Sequence, residues 1–318
     1  MFSKNSRKII QIHFDAAEGR AHIHQKDSFS SHSPLLTSTY DMLSASNYLD
    51  WIQMPRFSLI VGTKNSTQQA ESFEVFIVDQ NPDDRLLPIL SQFTDLPIHH
   101  MRATPGLARA RNLAFPFCKG EIIAFPDDDC WYPPDLMHNV SNWLDSHPEE
   151  GLLTITMRDV SGKTSANHWK SNLCDLAPIN VFRTTASSTI FVRRDVCALV
   201  RFDEVLGVGS STVFGSGEDT DFVLSLLARG IRGKYTQCLH VFHPMTPIPR
   251  GEGSKERALY YGRGTGYVLR KHKLAGIGIL LVLFDVTRAG LCSVTGRAAR
   301  GIFCWYHGAG IIKGYLAN

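Results

Sequence analysis

No Cys-x-x-Cys pair occurs in this 318-residue chain, although it holds seven cysteines. Thiols scattered in that way define no disulfide framework and fit a reducing cytoplasm. The first residues lack the apolar run of a secretory signal, because charged and polar side chains interrupt it. No internal repeat is visible. Charged residues make up 20% and hydrophobic residues 43%, an ordinary globular composition with length for one large domain and an appendage. Net charge is small at +3 but unevenly held: residues 249–318 carry 11 Lys+Arg against 3 Asp+Glu, leaving the first 248 residues mildly acidic. A basic, apolar-rich end suits an anionic surface. Its charges lie among Leu, Ile and Phe with no recognisable reading element, which favours lipid and argues against nucleic acid as a partner.

Residues 1–54 show no sustained period and are expected to form a poorly ordered extension. From Phe57 the chain alternates short apolar runs with helical patterns. Runs at 57–61, 73–78, 98–101 and 121–125 read as strands, and 107–117 and 133–146 read as helices, the second opened by Pro133-Pro134. Further strands are expected at 152–156 and 189–192, a helix at 219–228 closed by Gly230, and an extended segment at 231–242. Strands alternating with helices imply a mostly parallel α/β sheet over 55–248. Residues 249–318 read as helical. Their apolar run Leu274 to Phe284 is too short to span a bilayer and is followed by Asp285 and Arg288, which favours a helix lying in the membrane interface. A helix packed on the protein's own core is the alternative.

Two acidic clusters carry the chemistry. Asp127-Asp128-Asp129 follows the apolar run that ends at Phe125. In an open α/β sheet, ligands bind beyond the carboxyl ends of strands, and a hard divalent ion takes one or two carboxylates there with substrate phosphates completing its shell. Glu218-Asp219 opens a helix after the glycine-rich Gly215-Ser216-Gly217. Acids also stabilise any helix start through the macrodipole, so the second cluster gains meaning only from its order after the first. Gly262-x-Gly264-x-Gly266 follows no strand and is no dinucleotide fingerprint.

With these segments in order, roughly residues 56–272 resemble the family 2 glycosyltransferases of GT-A fold. Phe57 to Val61 with Thr63 and Asn65 looks like the first strand of that family, and Phe73 to Asp79 like its second. Gly106 with Ala110-Arg111-Asn112 resembles its glycine plus Ala-Arg-Asn element, Asp127-Asp128-Asp129 its DxD motif, and Phe202-Asp203-Glu204 through Gly217-Glu218-Asp219 its acceptor-side segment. The resemblance implies a GT-A sheet flanked by helices, with a basic C-terminal helical region over 249–318 that associates with a membrane. It implies a nucleotide-diphosphate-sugar donor and a divalent metal, Mn²⁺ or Mg²⁺, held by Asp127, Asp129 and, as a third ligand, His243. Thr63, Asp79, Arg111 and Asp128 would contact the donor, Asp219 would be the general base, and Glu218 would orient it. The expected reaction is inverting transfer to a glycan or lipid-linked acceptor at the cytoplasmic face of the cell membrane.

One departure is visible. The connection Gly62 to Ser72 is shorter than the crossover helix this family carries, which removes part of the wall beside the donor site. Two other readings follow from the same residues: a different metal-dependent nucleotide-processing enzyme, or a non-catalytic relative serving as a binding or assembly subunit.

Overall fold

A computed structural model describes residues 8–15, 20–27, 57–63, 73–94, 96–127, 129–165, 168–244 and 252–317. The elements in chain order are β1 (Lys8–Asp15), β2 (Arg20–Asp27), β3 (Phe57–Thr63), β4 (Phe73–Asp79), α1 (Leu87–Leu90), β5 (Ile98–Arg102), α2 (Leu107–Ala114), β6 (Ile122–Ala124), α3 (Leu136–Asp145), β7 (Leu152–Arg158), β8 (Cys174–Asp175), β9 (Ile190–Arg193), α4 (Arg194–Cys197), α5 (Glu218–Leu227), β10 (Gly233–Phe242), α6 (Glu252–Lys271), α7 (Ala275–Val294) and α8 (Ala298–Leu316).

β1 and β2 pair antiparallel within a segment expected to lack regular structure. Ile10, Ile12 and Phe14 alternate with Gln11, His13 and Asp15 there, a short period-two pattern inside a largely polar segment. The remaining eight strands form one sheet in the order β5-β4-β3-β6-β9-β7-β10-β8. β5-β4, β4-β3, β3-β6 and β7-β10 are parallel pairs, whereas β9 runs antiparallel to both β6 and β7. The sheet is therefore mixed at its centre. Hydrophobic run length identifies a buried strand but carries no information about its direction. β3 and β4 pair in full register from Phe57 with Phe73 to Thr63 with Asp79. Residues 64–72, on which the expectation of a missing wall rests, lie outside the described residues.

Every residue of β4 is buried, as both-face coverage by helices demands of a central parallel strand. Its one acid inside the run, Glu74, accepts hydrogen bonds from the backbone N–H groups of Lys119 and Gly120 at 2.5 and 3.0 Å. α2 ends three residues earlier than the pattern predicts, because Pro116 has no N–H to continue the ladder; Phe115–Phe117 form a 3₁₀ turn instead. Phe115, Phe125, Phe202 and Phe222 pack together beneath the strand ends, with ring centroids 4.4–6.3 Å apart.

The C-terminal helices revise one expectation. α7 continues past Phe284 to Val294, because Asp285 is met by His307 Nδ1 of α8 at 2.7 Å and Arg288 by His168. At about 1.5 Å per residue its 20 residues reach the thickness of a bilayer's hydrocarbon core, and it is long and apolar enough to cross a membrane by length and composition. α8 lies against α6 at close range: a Cβ on Gly262 would sit 2.2 Å from the carbonyl oxygen of His307, and one on Gly314 2.0 Å from that of Arg263. Glycine at these positions is what lets two helix backbones touch. α6 also joins the body, since Val268 belongs to the main core and Gly215 donates its N–H to the carbonyl of Tyr260.

Candidate functional site

β6 is three buried residues long, and the chain leaves its carboxyl end through Phe125 and Pro126 into the acidic cluster. Beside it, α2 starts at Gly106, whose φ of +139° favours glycine and whose N–H donates to Gln80 Oε1 at 2.6 Å. The Ala-Arg-Asn segment on this helix divides its work among three contacts. Ala110 is fully buried. Asn112 stitches α2 to the 202–204 segment: its Nδ2 donates to the carbonyl of Phe202 at 2.9 Å and to Glu204 Oε1 at 3.0 Å, and its Oδ1 accepts the Phe202 N–H at 2.9 Å.

Arg111 is 1% exposed and lies between the two acidic clusters. Its Nη2 donates to Asp127 Oδ1 at 3.3 Å and its Nη1 is 3.7 Å from Glu218 Oε1. The guanidinium also lies over the rings of Phe202 and Phe125, 5.1 and 5.8 Å from their centroids. Nε and Nη1 have no hydrogen-bond partner among the described residues. Arg111, expected to contact the donor, lies in the interior against these carboxylates.

Glu218 and Asp219 open α5, where the helix N-terminus favours negative charge. Burial, then the charge of Asp219, pushes the Glu218 carboxyl up to about 7 against the opposing pull of Arg111. Burial likewise raises Asp219, opposed by Thr220, whose N–H donates to Asp219 Oδ1 at 2.6 Å, and by Arg111. An acid pair with Glu218 buried and Asp219 half-buried beside one cation can hold a proton near neutral pH, which is what proton transfer requires.

On the other side of Asp127, Asp129 Oδ2 lies 3.3 Å from His243 Nε2. The sheet brings them together: Trp131 and Phe242 exchange both backbone hydrogen bonds and stack their rings 5.4 Å apart, so the residue following β10 faces the acidic turn. His243 Nδ1 contacts the carbonyl of Pro244 at 2.6 Å. An Nδ1–H donated there leaves the Nε2 lone pair directed at Asp129, the arrangement of a metal-ligating histidine with its ring fixed from behind. Cys130 completes a group of three potential ligands with Asp129 and His243. It was not singled out from the sequence, although it adjoins the acidic triplet. Its thiol is buried, contacts Ser188 Oγ at 3.4 Å, and is pushed far up by burial and by the charge of Asp127. Without a metal, the contact with Asp129 raises His243 against the effect of its own burial, and the contact with His243 lowers Asp129.

The expected metal set of Asp127, Asp129 and His243 is thus divided, with Asp127 turned to Arg111 and the other two facing each other. Asp127 still ties the halves into one site, because its charge acts on both His243 and Glu218. Asp79, expected to contact the donor, closes β4 but is fully buried and already occupied. Its Oδ1 accepts from Asn81 N and Nδ2 at 2.8 and 2.7 Å, and its Oδ2 meets His100 Nε2 and Arg102 Nη1 at 3.2 and 3.1 Å. Thr63 stands opposite Asp79 at the end of β3. Its side chain, and Asp128, lie outside the described residues.

Sheet, strand-end acids and supporting helices together define a GT-A-like α/β fold, with the C-terminal helices packed together. Residues 63–202 match the model of glycosyl transferase family 2. The poly(ribitol-phosphate) beta-N-acetylglucosaminyltransferase TarS of Staphylococcus aureus is 28% identical over 128 residues, which cover 35% of this chain and only 22% of that protein. The structure of S. aureus TarS 1-349 superposes with a TM-score of 0.50 at 15% identity, covering 83% of this chain and 93% of that one. The mannosyltransferase PcManGT from Pyrobaculum calidifontis, in complex with GDP-Man and Mn²⁺, superposes with a TM-score of 0.55 at 15% identity, covering 83% and 88%. At these identities the structural likeness concerns the fold alone. Glu218, Asp219 and His243 all lie beyond the matched family segment, and it is tertiary contact that joins them to it.

Proposed function

We propose that this chain transfers a sugar from a nucleotide-diphosphate-sugar donor to an acceptor hydroxyl, with inversion at the anomeric carbon, in the synthesis of a cell-surface glycan or glycolipid. The observation that carries the reading is Arg111: one buried guanidinium gathers the acid after β6 and the acid pair of α5 into a single site at the strand ends.

The donors present fit a divalent ion such as Mn²⁺ or Mg²⁺. Asp129 offers a carboxylate, His243 a ring nitrogen aimed at it, and the donor's phosphates would complete the shell. Such an ion, when bound, supplies Lewis-acid stabilisation of the departing nucleoside diphosphate. Asp219 accepts the proton of the acceptor hydroxyl as the new bond forms. Glu218, with its raised affinity for protons, keeps the pair's charge low enough to be tolerated in a buried site. Arg111 holds Asp127 and Glu218 in place and offsets their charge.

Calorimetric titration with UDP-, GDP- and dTDP-sugars tests this reading. One donor is expected to bind with Mn²⁺, to weaken about tenfold or more in Asp129→Ala and in His243→Ala, and to lose its metal-dependent affinity with chelator. Asp219→Asn should keep binding and lose turnover. Folded protein that binds no donor would point instead to a non-catalytic relative.

The C-terminal helices are proposed to seat the enzyme on the cytoplasmic face of an anionic membrane. Leu280, Leu283, Phe284 and Leu291 of α7 and Ile302 and Trp305 of α8 are exposed together, with Lys273 and Arg297 at the two ends of α7. α7 follows α6 through a tight turn in which the Leu274 N–H donates to the carbonyl of Leu269 at 2.8 Å, and it meets the body again in its second half, where Arg288 contacts His168. A helix so held runs along the domain, which supports lying in the interface rather than crossing it. Vesicles containing phosphatidylglycerol should sediment the full chain and neutral vesicles should not. A Leu283→Glu/Leu291→Glu variant should lose most of that binding; binding equal on both vesicle types would remove the electrostatic part of the proposal.

A further inference from the structure

We propose that Asp221, clamped by Lys271 at the end of α6 and by His272 just after it, is a positioning residue that sets the orientation of the Glu218–Asp219 pair; this rests on the reading of that pair as the acids of sugar transfer. Asp221 lies in the first turn of α5 and is fully buried. Its Oδ2 accepts from Lys271 Nζ at 2.9 Å and its Oδ1 faces His272 Nε2 at 2.7 Å. Lys271 Nζ also donates to Asp203 Oδ2 at 2.7 Å, which takes a further hydrogen bond from Tyr267 OH at 3.2 Å. Removing a carboxylate from water costs several kcal/mol unless cations and hydrogen bonds compensate. The low-energy state of α5 is therefore the one rotation in which Asp221 meets both partners.

A second attachment lies one turn earlier. Ser216 Oγ donates to the carbonyl of Tyr261 at 2.8 Å, and Gly215 N–H to that of Tyr260 at 3.2 Å. Gly264 of α6 carries no Cβ where one would fall 2.1 Å from the carbonyl oxygen of Ser216. The loop before the acid pair and the turn containing it thus rest on the same helix, held at two points on opposite sides of Glu218 and Asp219. Two points fix both the axis and the rotation of the first turn of α5, and with them the direction of each carboxylate.

The test uses the full chain and three variants: Asp221→Asn, Lys271→Met and the conservative Lys271→Arg. Nucleoside diphosphate release is measured with the donor that binds, Mn²⁺ and acceptor, beside donor Kd by calorimetry. In Asp221→Asn and Lys271→Met, kcat is expected to fall about tenfold to a hundredfold, the scale of an ångström-level misplacement, with donor Kd unchanged; Lys271→Arg restores most of it. A readout independent of turnover is the titration of Glu218 by ¹³C NMR, where a loosened first turn admits water and moves the carboxyl down from about 7. Folded variants that keep both kcat and the Glu218 titration overturn the clamp, even where Asp219→Asn abolishes turnover. A wild-type chain with no turnover would sink the transferase reading instead, and the NMR titration would still decide whether Asp221 positions the pair.

Discussion

Replacing Arg111 with methionine is expected to destabilise the chain by about 3–5 kcal/mol, the cost of breaking a buried charge cluster from one side. Methionine matches the length of the aliphatic stem and packs on Phe125 and Phe202, so little of the loss would come from a cavity. What disappears is the cation facing both Asp127 and Glu218. Urea unfolding measures the effect as a lower midpoint with an unchanged slope. Adding Asp127→Asn and Glu218→Gln to the same variant should recover most of the stability, because the uncompensated charges are then gone. A loss below about 1 kcal/mol in the single variant, the range of an exposed pair, would mean that water already screens both acids. Arg111→Lys should rescue poorly, since a single ammonium cannot present separate nitrogens to two carboxylates.

Glu218→Gln should stabilise the chain above neutral pH. The Glu218 carboxyl stands at about 7 in the folded chain against an ordinary value of 4.5. Between those values the folded state holds a proton that the unfolded chain has released, so stability falls as pH rises through the window and stays lower above it. The raised value corresponds to about 3 kcal/mol. Glutamine has no charge to bury, so the stability of the variant relative to wild type should grow by about that amount from pH 4.5 to pH 8. Paired unfolding curves at the two pH values check it. A difference that does not change with pH would mean that ionised Glu218 is well solvated. Asp219→Asn removes the neighbouring charge that helps raise Glu218 and should move its titration downward.

Much of the fold can be read from local pattern. The fully buried strand Phe73–Asp79, the helix beginning at Leu107 and the acidic opening of α5 fall where apolar runs, helical period and glycine place them. The end of α2 was misread because the pattern of apolar residues continues through Pro116 while the backbone cannot. The length of α7 is hidden in the sequence because Asp285 and Arg288 look like breaks in an apolar run. Their partners, His307 and His168, are distant in sequence, so nothing nearby shows that these polar groups find hydrogen-bond partners.

Taken by itself, the sequence determined where the candidate groups stand along the chain: carboxylates at a strand end and at a helix start, with a histidine after the last long strand and an Ala-Arg-Asn segment added by the family resemblance. The places of the acids follow from apolar runs and spacing, which are local. Which of them face one another was decided only by the tertiary structure. The Trp131–Phe242 bridge sets His243 against Asp129 rather than against Asp127, and the depth of α2 sends Arg111 to the acids while Arg102 and His100 fill the oxygens of Asp79. The reason is physical: ion-pair energies change steeply with distance and burial, and both are properties of the packed chain that no local stretch of sequence contains.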